Sequence, residues 1–589
     1  MAASSERVGS ASSQEGWSKW QIGLAVAVPV AVAGGYLLYK RRSKNKQVEK
    51  KLFPGSQNTE PINDSQEDHE GQNKKKKVLT PLEKAQGEKN KGNKYFRGGR
   101  YDSAINCYTE AIKICPLEEK ADLATFYQNR AAAYEKLMNL RMVVEDCTEG
   151  LKYNNKYTKC LMRRANAAEQ LGDLSQALED VTALCILEGF QNPKSLMTAD
   201  RVLKELGQSK AKVAYANKKP SLPSQYFIRT YFKAFTQDPV LLDANNLGKK
   251  ALVPNGETDI PDTDSPYYEA LRNLNAEKYE EVISFCNKEL NDEHSCKCNE
   301  ARLLRGTFYF LSGELDKAVA DIDPLLEDSI DKKIRINALI KKGSTLIQQG
   351  KSTDALDCFA KAVRLDPDNA DIYHHRGHHN IQLDRIDDAI RDLEFSASKC
   401  PTFAASHVQK TFAEHRKSAE VIASTGAKLP LPQTVIDSYK NNVTMFPDSG
   451  DARALYAQAL TDAGKFDEAD REFEKAIKLE PDNATAMVHR GLLQLQWKQN
   501  IDEAVEMIKK AIEIDSKCEY AYEVLGTIEV QRSNMEKAME LFQKAIQLCK
   551  TESEMAHLYS LLDAAHAQLK VAKNLDIKLP GPMGMGPPM

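Results

Sequence analysis

An excess of charge of one sign is missing from this sequence: 81 Lys and Arg stand against 84 Asp and Glu, a formal net charge of −3 over 589 residues. A duplex-binding protein normally carries a strong basic excess on one face, so nothing in this balance points to nucleic acid. Paired cysteines are also lacking. The 12 cysteines are scattered, mostly singly, through helical-looking segments (Cys107, Cys147, Cys185, Cys358, Cys518). That suits small buried hydrophobes in a reducing compartment better than a disulfide framework. Cys296-Lys297-Cys298 is the one close pair, and no second Cys or His pair at zinc spacing accompanies it. A phosphate-binding glycine loop and a zincin motif are both absent, which argues against an enzyme, a cofactor or a catalytic metal. With 42% hydrophobic and 28% charged residues the chain reads as globular, and its length calls for two or more domains.

What the chain does contain begins with an uncharged run, Ile22 to Tyr39, reading IGLAVAVPVAVAGGYLLY. Its roughly eighteen residues span about 27 Å as a helix, enough for a hydrocarbon core. Trp17, Trp20, Tyr36 and Tyr39 flank it as interfacial aromatics do, and a basic cluster, Lys40, Arg41, Arg42, Lys44 and Lys46, follows at once. The positive-inside rule therefore leaves the bulk of the chain in the cytosol. A cleaved secretory signal fits poorly, because the basic residues follow the apolar run and do not precede it. The expectation is a single transmembrane helix over 22–39, a short non-cytosolic tail over 1–21 and a flexible basic and polar tether over 40–81. A short, moderately apolar anchor with a basic C-terminal flank points to a single-pass protein of the mitochondrial outer membrane; the anchor alone leaves the endoplasmic reticulum open.

Internal periodicity sets the rest. From Gly92, Ala104 lies 12 residues on, Tyr108 16, Ala111 19 and Pro116 24. The same offsets return from Gly343 (Ala355, Phe359, Ala362, Pro367) and from Ala457 (Ala469, Phe473, Ala476, Pro481). Gly526, Ala538, Phe542 and Ala545 repeat them without the proline, and Gly377 and Gly306 head partial copies. Gly343 and Gly377 stand 34 apart, which is the tetratricopeptide (TPR) period. Each repeat is two antiparallel helices: small residues let them cross closely, the aromatic is expected to fill the space toward the next repeat, and proline ends the second helix. The fold class is thus all-α, a TPR helical solenoid of about eleven repeats in two blocks, behind the anchor. Three repeats fill 82–188 and a linker is expected over 189–264. A second TPR block runs over 265–570, followed by a disordered tail over 571–589.

The first three repeats carry a further pattern. Lys89 and Asn93 are four apart, as are Lys159 and Arg163, so each pair shares a helix face. With Asn129 of the second repeat they line the first helices, which face the concave groove of a TPR stack. Two lysines, an arginine and two asparagines suit the carboxylates of a peptide C-terminus. Arg164 beside them reads as a surface residue or as one that supports the clamp from behind. The five match, position for position, the dicarboxylate clamp of TPR co-chaperones. That resemblance implies binding of the acidic Glu-Glu-Val-Asp tails of the seventy- and ninety-kilodalton heat-shock chaperones.

Anchor, tether, clamp block and longer second block, with KNKGNKYF and FYQNRAAAY among the motifs, together resemble the seventy-kilodalton import receptors of the mitochondrial outer membrane translocase. The resemblance spans essentially the whole chain. It implies a non-enzymatic receptor that docks these chaperones and accepts precursor proteins, carriers with internal targeting signals above all, alongside other translocase subunits. A general membrane-anchored chaperone-recruiting scaffold, or an organelle tether, is the alternative. In the second block Arg376 and Arg490 stand at one offset before their markers and are the candidates for a precursor groove; ion pairs inside the solenoid are the competing reading. His374-His375-Arg-Gly-His378-His379 holds two i, i+4 histidine pairs, but they point in different directions around one helix, so groove lining is favoured over metal.

Overall fold

The computed structural model describes residues 79–247, 265–425 and 430–577, and every regular element there is helical. Three pairs open the chain: α1 (Pro81–Arg97) with α2 (Tyr101–Ile114), α3 (Lys120–Lys136) with α4 (Leu140–Tyr153), and α5 (Thr158–Gln170) with α6 (Leu174–Leu187). The start of α1 is fixed by a capping box, Thr80 with Glu83, and by Pro81 in the first turn, where a missing N–H costs nothing. Within each pair the turn depends on one left-handed residue two positions before the second helix. Gly99 (φ 73°), Met138 (57°) and Gly172 (81°) fill it here, and Gly313, Gly350, Asp384, Gly464 and Gln499 fill it farther on.

The periodic small residues have a direct steric cause. A Cβ on Gly92 would stand 2.7 Å from the Tyr108 ring, one on Gly343 2.8 Å from Phe359, and one on Gly526 2.7 Å from Phe542. The aromatic at the sixteen-residue offset therefore lies over the marker of its own repeat, where the sequence reading had placed it toward the neighbour. An ion pair adds to this packing. Arg130 donates to both oxygens of Asp146 at 2.9 and 2.6 Å, and Arg164 does the same to Asp180 at 2.8 and 2.7 Å. Arg305 repeats it with Asp321 and Arg376 with Asp392. In every case the arginine precedes the marker and the aspartate follows sixteen residues later. Arg164 is thus a half-buried brace and not a surface residue.

The chain divides into two compact units. Among the described residues the smaller holds the chain up to Lys210, Glu529–Met539 and everything from Tyr559 on; the larger holds Ala211–Ile528 and Glu540–Leu558. In the smaller unit, α7 (Pro193–Ala216) follows the three pairs as far as Lys210, and the C-terminal helix, Glu552–Leu575, returns to them from Tyr559 on. Ala564 and Ala567 join a core with Leu196, Val202 and Leu206, and Val571 and Leu575 join one with Leu151, Leu161 and Leu184. Lys210 pairs with Asp563 at 2.6 Å, and Asn155 Nδ2 donates to the Asn574 carbonyl at 3.1 Å.

Three expectations are corrected. Among the described residues no helix is long and apolar enough to cross a membrane; the expected span at 22–39, like the tail before it and most of the tether, lies outside the described residues. The fold stands as an all-α solenoid, and the transmembrane helix and single-pass topology are not carried forward. The expected linker over 189–264 is helical through α7, α8 (Gln225–Lys233) and α9 (Pro239–Asn246). Pro193 and Pro239 open helices there, and its aromatic run buries Ile228, Tyr231, Phe232 and Phe235 in the core of the larger unit. The tail was expected from 571, but the last helix runs to Leu575 and buries that residue; residues 578–589 lie outside the described residues.

The segment carrying α8 and α9 is tied along the larger unit. Thr236 and Gln237 donate backbone N–H groups to Asp371 at 2.9 Å, and Lys341 Nζ donates to Asp238 at 2.7 Å with both side chains out of solvent. Tyr226 donates to Glu480 at 3.0 Å, Arg229 pairs with Asp482, and Lys517 donates to the Leu222 carbonyl at 2.9 Å. Tyr215 donates to the Lys550 carbonyl at 3.0 Å.

Candidate functional site

The five clamp candidates lie on α1, α3 and α5, the first helices of the three opening pairs. Asn129 Nδ2 donates to Asn93 Oδ1 at 3.4 Å, which joins α3 to α1. Arg163 Nε donates to Glu135 at 2.9 Å, which joins α5 to the same α3. Lys89 stands one turn before Asn93 and Lys159 one turn before Arg163, so the two contacts draw all five onto one row of helices. Lys159 is exposed, and neither lysine forms an ion pair among the described residues. Their ammonium groups are therefore available to an incoming anion. Arg163 is engaged through Nε alone, and its carboxylate partner is itself 39% exposed, open to exchange.

Asn93 has a second partner. The Tyr108 hydroxyl donates to Asn93 Oδ1 at 2.8 Å from a ring that is 2% exposed. Neither Tyr108 nor Glu135 was read from the sequence as part of the site. Tyr108 was legible only as a repeat aromatic, and Glu135 carries no offset that singles it out.

The two groove candidates of the second block sit elsewhere in the chemistry. Arg376 donates to Asp392 at 2.8 and 2.6 Å, and these hydrogen bonds hold its guanidinium above its ordinary range. Arg490 donates to Asp470 at 2.7 and 3.1 Å, alongside Gln494 to the same carboxylate at 2.8 Å. Both guanidiniums thus form the ion pairs inside the solenoid that the competing reading named. An aspartate sixteen residues after Arg376, as after Arg130, Arg164 and Arg305, was the available signal. The histidine run is buried: His374 faces Ser406 Oγ at 3.0 Å, and His379 faces Ser344 Oγ at 2.9 Å. Among the described residues no group of three or more His, Cys, Asp or Glu is placed to hold a metal.

Comparison with known proteins matches the TPR repeat family model over 92–137 and 343–384, and a second tetratricopeptide repeat model over 455–517. The human mitochondrial import receptor subunit TOM70 is 44% identical over 584 residues, covering 96% of this chain and 94% of that protein. The Rattus norvegicus receptor of the same name is also 44% identical, over 95% of this chain and 93% of its own. The crystal structure of yeast Tom70 is 24% identical, with a TM-score of 0.48, over 84% of this chain and 99% of that one. Identity at this level across nearly the whole of both chains makes this protein a member of the mitochondrial import receptor subunit TOM70 family.

Proposed function

We propose that this chain is a mitochondrial import receptor, not an enzyme, which docks heat-shock chaperones by their acidic C-terminal tails and takes over the precursors they carry. Family membership supports the receptor role. The observation that carries the docking step is the row of Lys89, Asn93, Asn129, Lys159 and Arg163 on three adjacent first helices, with Asn93 and Asn129 in contact. A C-terminal aspartate offers two carboxylates, and three cations with two amides supply the positive charge and the N–H donors to meet them. Glu135 on Arg163 already illustrates the preference of that guanidinium for a carboxylate.

Bound by its tail, a chaperone raises the local concentration of its cargo beside the receptor. In the larger unit a cavity of about 600 Å³ combines Leu222, Tyr226, Tyr279 and Ile514 with charged Glu281 and Lys517, a mixed surface that suits loosely specified precursor segments. The docking test is calorimetry of the full chain with a peptide ending in Glu-Glu-Val-Asp. Arg163→Ala is expected to weaken it roughly ten- to a hundredfold, the worth of one charge-assisted contact. Unchanged binding in that variant removes Arg163 from the site.

A further inference from the structure

The hydroxyl of Tyr108 has no packing task. At the same offset, over the same kind of marker, the other copies with an aromatic use phenylalanine: Phe359 over Gly343, Phe473 opposite Ala457 and Phe542 over Gly526. Each of these rings is as buried as that of Tyr108. Only the first repeat joins a phenol at this offset to an asparagine next to the marker; the residues after the other three markers are Ser344, Gln458 and Thr527. The hydroxyl is spent on that asparagine, donating to Oδ1 at 2.8 Å.

An asparagine side chain has one acceptor end and one donor end, and a free amide can turn either toward a ligand. Here Oδ1 accepts from Tyr108 on one side and from Asn129 Nδ2 on the other, at 2.8 and 3.4 Å. With the acceptor end occupied twice, Nδ2 is the end left for a ligand. We propose that Tyr108 is a positioning residue of the clamp, whose buried hydroxyl locks the Asn93 amide with its N–H groups toward the peptide carboxylate. Were the amide reversed, its oxygen would repel the carboxylate it is meant to receive. Burial pushes the phenol up to about 12, so it stays a donor throughout the neutral range. The inference rests on the clamp reading above and extends it to a residue that the peptide does not touch.

The test is a double-mutant cycle on the full chain, with affinity for a peptide ending in Glu-Glu-Val-Asp read by calorimetry. Tyr108→Phe keeps the ring over Gly92 and removes only the hydroxyl, and is expected to weaken binding about three- to tenfold. Its preference for the free-carboxylate peptide over the amidated one is expected to shrink in step. In an Asn93→Ala background the same change is expected to do nothing, because the amide it orients is gone. A merely structural hydroxyl would cost the same in both backgrounds, and that result overturns the proposal. So does a wild-type affinity and carboxylate preference retained in Tyr108→Phe. If the wild-type chain itself ignores the peptide, the clamp reading falls first and this inference with it.

Discussion

At the scale of single residues, the repeats are held by contacts between a small residue and a ring, and two glycines on one helix separate that effect from helix propensity. Gly92 lies under Tyr108, whereas a Cβ on Gly87, also in α1, meets nothing within 4 Å. Gly92→Ala should lose about 1–3 kcal/mol through a displaced ring. Gly87→Ala should gain about 0.5–1 kcal/mol from reduced backbone entropy. Urea unfolding of the full chain checks both, in the transition that the tail peptide shifts to higher denaturant; equal effects from the two variants would remove the steric account. Gly92 and the placement of the five clamp candidates on adjacent first helices were legible because fixed offsets reveal which positions share a helix face. Tyr108 and Glu135 were not, since a hydrogen bond between two helices leaves no periodic trace in one chain. Arg376 and Arg490 show the converse: an offset exposes a recurring role without saying whether a ligand or a neighbouring helix meets it.

At the scale of elements, the Ala370–Gln382 helix carries four histidines, and its interior placement makes it sensitive to acid. Burial, then the neighbouring His379, pushes His374 down to about 3; burial, opposed by the Gln382 hydrogen bond, pushes His379 down to about 4. Both are neutral in the folded unit and titrate near 6.5 once unfolded. The unfolded chain therefore takes up protons first as pH falls. Stability is complete above about pH 6.5 and declines below it, toward the folded values. Urea midpoints between about pH 7.5 and 5 should fall with acid, and less steeply in His374→Asn/His379→Gln; parallel slopes in the two proteins would refute the assignment. Helix pairs such as α1–α2 were readable from period and proline. The elements α8 and α9 were not, because Pro220 and Pro223 are loop residues that hide the nine-residue helix after them, and Pro239 looks like another until its helix is seen to begin there.

At the scale of the whole molecule, sequence order and structural unit part company at the C-terminus. Ending the chain at Leu558 removes Val571 and Leu575, each worth about 1.5–3 kcal/mol when buried. It also strips the Lys210–Asp563 pair from the clamp-bearing unit. The truncated chain should show faster proteolysis within 79–210 and weaker tail-peptide binding, although every clamp residue is retained; cleavage at the full-length rate would deny the last helix that role. The strap of α8 and α9 has a consequence for how the larger unit comes apart and comes together. A plain solenoid has only neighbour contacts, so it can fray from an end and start folding anywhere. The strap instead makes bonds between residues 103 to 295 positions apart. That couples early and late repeats into one cooperative transition and raises the contact order, which slows folding. During synthesis the strap emerges before the helices it packs on, so Ile228, Tyr231 and Phe232 wait for core partners that extend to Ile372, and the Leu222 carbonyl waits for Lys517. A member of an import-receptor family thus carries an incompletely buried segment of its own while it is being made.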